Sequence, residues 1–314
     1  MNTYLYYTNI RPLVSTRTLS AAAVVACASI WGFIGICTRT LSDAGMDSVQ
    51  INTVRSTICL IAIAAVLLMT NRGAFRIDAK DLWILFLAAL TKVGMDVLYI
   101  QAQTMIDLSM AGVLLSTHCY FAIAISYLVF RDRITPKKIL AAVIGFTGCA
   151  FAVGLFTGSK ELEMLGICIG LGAGFGEALH AATFKLSLDK GYSEPTVLFY
   201  VFLLSTAMLI PFSDPAATVG MMTSSVEVLV ASIAIGLVFT ALPYYLYSKG
   251  LAGLDIGSVS VLMFLETAMA SIAGLFFFGE ELSLHSIIGI SLIFVSLVIM
   301  NLGISEEERK QDNI

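Results

Sequence analysis

Apolar stretches of helix length alternate with short polar interruptions along the chain. Ten such stretches run at roughly 19–38, 48–69, 83–104, 110–130, 139–156, 164–184, 196–212, 227–248, 256–278 and 285–303. About 20 apolar residues are enough for one helix to cross a hydrocarbon core. Turn formers and charges stand between most of them: Asp43-Ala44-Gly45, Asn71-Arg72-Gly73, Asp132 to Lys138, Gly158 to Glu163, Ser213-Asp214-Pro215 and Gly279-Glu280-Glu281. The faintest interruption is Met105 to Ser109. The pattern predicts an all-α integral membrane protein with ten transmembrane helices.

Composition points the same way. Of the 314 residues, 58% are hydrophobic and 13% charged, against about 25% charged in a soluble domain. So much apolar surface cannot be hidden from water, whereas lipid accepts it. Membrane lipids are therefore the expected surroundings. The net charge of -4 and the lack of any Lys/Arg-rich run exclude nucleic acid as a partner. The six cysteines, Cys27, Cys37, Cys59, Cys119, Cys149 and Cys168, all fall in apolar stretches and form no CxxC pair. They read as small buried thiols. Residues 1–18 are polar for too long to be a secretory signal and are expected to form a cytoplasmic leader.

The cations set the orientation. With the N-terminus in the cytoplasm, 14 of the 18 Lys and Arg fall on the cytoplasmic side: Arg11, Arg17, Arg72, Arg76, Lys80, Arg131, Arg133, Lys137, Lys138, Lys185, Lys190, Lys249, Arg309 and Lys310. Arg39 and Lys160 fall outside, and Arg55 and Lys92 lie within spans. This bias predicts a multi-pass protein of the inner or plasma membrane with both termini cytoplasmic.

The chain also repeats itself. A shift of 148 places Tyr99 on Tyr247, Asp107 on Asp255, His118 on Glu266, and the turn from Arg131 to Thr135 on that from Gly279 to Ser283. A shift of 146 pairs Arg39 with Lys185, Asp43 with Asp189, Gly45 with Gly191 and Trp31 with Glu177. The expected units are a five-helix repeat at 19–156, a linker at 157–163, a second repeat at 164–303 and a tail at 304–314, read as a disordered cytoplasmic end. Five helices per unit is an odd number, so the two repeats are inverted. Inverted repeats place a site at their interface near the bilayer midplane.

Several polar groups interrupt the apolar spans, each at a cost of about 2.5–3.5 kcal/mol for a charge at mid-span. Lys92, Asp96, Tyr99 and Gln103 lie at i, i+4, i+7 and i+11 and form one stripe. Thr240, Tyr244 and Tyr247 repeat the spacing in the eighth segment. Glu177 and His180 stand one turn apart in the sixth, His118 is in the fourth and Glu266 in the ninth. Bland readings stand beside functional ones. Lys92 and Asp96 form either a self-neutralising ion pair or a cavity wall. Arg55, nearer the outer end of its span, reads as an anchor that snorkels. His118 is either a packed neutral ring or a site residue. His285 reads as surface. Gly166, Gly170 and Gly174 have the GxxxG spacing of close helix packing, and Pro243 should bend its helix. No nucleophile–base pair or enzyme motif is present, and neither a metal site nor a cofactor is expected.

Taken together, these residues resemble the drug/metabolite transporter superfamily, in particular its EamA-type members with ten helices in two EamA repeats. The resemblance covers about residues 19–303. It is carried by Ser29-Ile30-Trp31-Gly32, by Arg55 in NTVRSTICLIAI, and by LLSTHCYFAIAISYLVFRDRIT and VLMFLETAMASIAGLFFFGEELS. The last two resemble an apolar helix ending in Gly-Glu-x-Leu-Ser/Thr. The family often has proline where this chain has Cys119 and Thr267, and Arg131-Asp132 replaces the first Gly-Glu. The resemblance implies export, sometimes uptake, of small metabolites such as amino acids through a cavity open to one side at a time.

The expected function is therefore a secondary transporter, not an enzyme. Glu266 and His118 would face the cavity from opposite repeats, with Glu177 and His180 nearby, to bind an ammonium group or carry a coupling proton. Trp31, Tyr99, Tyr244 and Tyr247 would form amphipathic walls, and Lys92 and Asp96 complete the candidate set. A monomer or weak dimer is expected. The alternative is an accessory membrane subunit of a lipid-carrier system without transport of its own.

Overall fold

A computed structural model describes residues 16–105, 108–152, 164–279 and 283–311. Among them, ten helices follow the apolar stretches. They are α1 (Thr16–Asp43), α2 (Ser48–Thr70), α3 (Leu82–Met105), α4 (Leu108–Ser116, His118–Ile125 and a π-turn Ser126–Phe130) and α5 (Pro136–Ala152). The second set is α6 (Met164–Asp189), α7 (Glu194–Leu209), α8 (Val226–Gly253), α9 (Ile256–Leu262 and Leu265–Phe278) and α10 (Leu284–Gln311). A short helix, Pro215–Met222, joins α7 to α8. Eight of these helices contain spans long and apolar enough to cross a membrane, and Leu284–Met300 of α10 is a shorter apolar helix. α5 lies along α10 as its counterpart.

Local chemistry fixes the helix ends. Asp47 caps α2 in a capping box: Gln50 N–H donates to Asp47 Oδ1 at 2.8 Å, and Asp47 N–H donates to Gln50 Oε1 at 2.9 Å. Asp255 caps α9, accepting from Ser258 N–H at 2.9 Å and from Ser258 Oγ at 2.6 Å. Gly45 (φ 92°) and Gly191 (φ 87°), paired in the sequence alignment of the repeats, are both left-handed. So are the paired residues Arg131 (φ 59°) and Gly279 (φ 65°), which end α4 and α9. Arginine adopts in the first repeat the conformation that glycine supplies freely in the second. The tail differs from its expectation. α10 continues through Gln311, where a disordered end was expected. Asp107, the linker 157–163 and Glu280 to Leu282 lie outside the described residues.

Packing has the symmetry the repeat predicts. α3 lies on α6 as α8 lies on α1, and α4 lies on α6 as α9 lies on α1. α7 meets α3 as α2 meets α8, while α2 and α7, α4 and α9, and α5 and α10 meet their own counterparts. Exchanging the two halves maps this set onto itself, as a pseudo-two-fold axis requires. The α5–α10 pair is closely packed: a Cβ on Gly148 would fall 2.8 Å from the Gly289 carbonyl oxygen. Within the GxxxG run, Gly170 and Gly174 admit Leu114 and Thr117 of α4. The outer faces carry exposed Met69, Leu128, Phe212 and Phe276, acceptable against lipid but not against water.

Candidate functional site

A cavity of about 410 Å³ lies between the repeats. The first repeat contributes Trp31, Asn52, Arg55, Asp96, Tyr99 and His118 to its wall, and the second contributes Glu177, Tyr244, Tyr247, Ser260 and Glu266. Thr38 and Ser48, which flank the α1–α2 turn, also line it, so it reaches toward that face.

Interrupted helices bring these groups together. α4 breaks at Thr117, just before His118, although no proline is present. Thr117 Oγ1 donates to the Leu114 carbonyl at 2.6 Å, and the backbone tightens to i−3 bonds there. α9 breaks between Leu262 and Leu265 with the same i−3 pattern, which puts Glu266 in the first turn of a half-helix. α8 contains a π-turn, Leu237–Ala241. In a regular helix the Phe239 carbonyl would receive the N–H of residue 243, and proline has none. Trp31 Nε1–H of α1 donates to that carbonyl instead, at 3.0 Å. The indole then packs on Tyr244 and Tyr247, with ring centroids 5.1 and 5.8 Å away.

The charged groups divide into paired and unpaired. Lys92 is fully buried and does not line the cavity. Its Nζ lies 2.8 Å from Asp96 Oδ2, 5.4 Å from the Phe202 ring and 6.0 Å from that of Tyr244. Asp96 presents its flank to the cavity. Glu177 lines the wall, but His180 turns into the α3–α6 contact, with Nδ1 3.1 Å from the Ala88 carbonyl and Nε2 without a partner among the described residues. Residues three apart on a helix are displaced by about 60°, which is enough to separate the two. Among the described residues, Glu177 and Glu266 make no hydrogen bond. His118 Nδ1 is 3.1 Å from the Leu115 carbonyl, so its other nitrogen is left for the cavity.

Of the ten candidate residues, eight line the cavity, while Lys92 and His180 stand behind its wall. Arg55, which its position in the span marked as an anchor, lines it too. Asn52, one turn earlier on the same face, was the available signal. The side chain of Gln103 lies outside the described residues.

The opposite face is closed by contacts between repeats. Lys138 Nζ of α5 lies 2.8 Å from Asp255 Oδ1. Tyr192 OH donates to Asp81 Oδ2 at 2.8 Å, and Lys190 lies 3.3 Å from Asp81 Oδ1. Tyr200 OH donates to the Phe75 carbonyl at 2.7 Å, and Ser20 Oγ to the Lys249 carbonyl at 3.0 Å. Burial works to raise the Asp255 carboxyl; Lys138 and the Ser258 donors outweigh it and hold the group below the usual carboxylate range.

Residues 18–154 and 164–302 each match the EamA-like transporter family. The chain belongs to that family. As a member of this branch of the drug/metabolite transporters, it is 28% identical over 280 residues to an uncharacterized transporter of Archaeoglobus fulgidus, covering 88% of this chain and 94% of the relative. It is 24% identical over 183 residues to the threonine/homoserine exporter RhtA of Escherichia coli, 58% of this chain and 60% of that one. A solved structure aligns with a TM-score of 0.74 at 14% identity, over 93% of this chain and 99% of that chain. This last likeness concerns the fold alone. This EamA protein is thus a multi-pass membrane transporter with two repeats.

Proposed function

We propose that the protein is a secondary transporter that exports a small polar metabolite, an amino acid or related solute, across the cytoplasmic membrane by alternating access. The observation that carries this reading is the asymmetry of the repeat interface. A cavity rich in polar groups reaches toward the α1–α2 face, while ion pairs and hydrogen bonds between repeats close the other. Both termini are cytoplasmic in this reading, so this conformer faces outward, and rocking of the repeats would release the closed face and shut the open one.

Glu177 and Glu266 take the cargo's amino group, with His118 beside them and Trp31, Tyr99, Tyr244 and Tyr247 as walls. The same carboxyls carry a coupling proton when the cargo is absent. Export of threonine and homoserine by the RhtA relatives supports an amino acid as cargo. The test is efflux from proteoliposomes loaded with labelled amino acids, with and without an imposed proton gradient. Efflux accelerated by the gradient for at least one amino acid is expected. No efflux for any of them would remove the amino-acid reading.

A further inference from the structure

We infer that Arg55 selects the cargo by binding a carboxylate on it, across the cavity from the carboxyls that take its amino group. The inference rests on the cavity being the cargo site, and it adds a requirement for two opposite charges on one solute.

Two buried lysines set the comparison for Arg55, which is itself half-buried. Lys92 and Lys138 each have a carboxylate 2.8 Å away. Arg55 shares the cavity with three carboxyl-bearing residues and interacts electrostatically with each: Asp96, which Lys92 already pairs, and Glu177 and Glu266, which no cation pairs among the described residues. Yet among the described residues it makes neither an ion pair nor a hydrogen bond, and its Nε is shut away from solvent without a partner. If Arg55 served only to neutralise Glu266, the two would be expected to close, as the lysine pairs do. Instead a guanidinium and two carboxyls all point into one space without satisfying one another.

An unpaired guanidinium inside a span is costly. It is also the side chain best suited to a carboxylate, which it grips with two parallel N–H donors. A solute with an ammonium and a carboxylate satisfies both sets of groups at once. A simple amine leaves Arg55 unpaired, and a simple carboxylic acid leaves the glutamates unpaired. Asn52, one turn before Arg55 and also on the wall, adds an amide beside the guanidinium. The cavity volume of about 410 Å³ lies within the usual range for small-molecule sites.

Tryptophan fluorescence tests this without requiring transport. The chain has two tryptophans: Trp31 on the cavity wall, and Trp83 exposed at the start of α3. Trp83→Phe therefore leaves Trp31 as the sole reporter. The purified full chain is titrated with L-threonine and with L-threoninamide, which keeps the ammonium and lacks the carboxylate. The native site should bind threonine at least tenfold more tightly than the amide. Arg55→Gln should bring the two within about threefold through loss of threonine affinity, with Arg55→Lys intermediate. Retained amide binding certifies the folding of each variant. A native protein that binds both probes equally, or neither, overturns the assignment. So does an Arg55→Gln variant with the native preference intact. Flux in vesicles reads the transporter proposal separately. Carboxylate-selective binding without flux would leave Arg55 in place and remove the transporter, whereas flux with an unaltered preference in Arg55→Gln would do the reverse.

Discussion

Trp31 donates its indole N–H to the Phe239 carbonyl at 3.0 Å, the carbonyl that Pro243 cannot serve. One proline in the second repeat thereby determines where an aromatic side chain of the first repeat stands. Trp31→Phe should cost about 0.5–1.5 kcal/mol for the lost hydrogen bond. Pro243→Ala restores an N–H within α8, so Trp31→Phe should cost less in that background. Thermal melts of the two single variants and the double variant measure the coupling. Strictly additive losses would show that the indole does not compensate for the proline.

Lys92 and Asp96 give a second prediction. The lysine is fully buried, between one carboxylate and two aromatic rings. Removing Asp96 strands Lys92 in a dry core and should destabilise by about 3–5 kcal/mol, while removing Lys92 strands Asp96 at the cavity wall. Lys92→Met and Asp96→Asn should each lower the melting temperature sharply, and the double variant should recover most of the loss. If Asp96→Asn melts normally but stops transport, Asp96 acts on the cargo and not chiefly on Lys92.

Lys138 and Asp255 form an ion pair on the closed face, 2.8 Å apart. Lys138→Met should shift the protein away from the outward-facing conformer. A cysteine at position 38, made by Thr38→Cys on the cavity wall, should then react more slowly with a hydrophilic maleimide. Unchanged labelling would remove the pair from any gating role.

The pH dependence of this contact has a definite sign. The Asp255 carboxyl is held low, so its contribution is complete above the unfolded value of about 3.9. It is lost only as pH falls through the lower folded value. Labelling at position 38 in the native background should therefore be flat from pH 5 to pH 8 as far as this pair is concerned. A transition in that window that vanishes in Asp255→Asn would contradict the assignment.

Gly35 offers a steric test. It lines the cavity, and a Cβ there would meet nothing within 4 Å. Gly35→Phe should fill the space and abolish flux while leaving the melting temperature nearly unchanged. Normal flux in a folded Gly35→Phe protein would place the pathway elsewhere.

Much of the fold was legible because lipid imposes a simple rule: every span must be apolar and helical. The positions aligned between the repeats, Gly45 with Gly191 and Arg131 with Gly279, share a left-handed backbone, which the alignment alone did not state. The helix breaks beside His118 and Glu266 were less visible. The sequence pattern marks breaks by proline, and here i−3 bonding together with the Thr117 hydroxyl does the work instead. At the site, charge within a span located the right helices but not the direction of each side chain. His180 shares a turn with Glu177 yet faces α3, and Arg55, placed by its position toward the outer end of its span, faces the cavity.

Glu266 of the second repeat lines the same cavity as His118 of the first, and the proposed cargo site centres on it. The most direct measurement is counterflow of labelled threonine into proteoliposomes, comparing the native chain with Glu266→Gln. The account predicts uptake by the native protein and a fall of at least tenfold in the variant, with its melting temperature preserved. Equal uptake by both would contradict the placement of the cargo at Glu266.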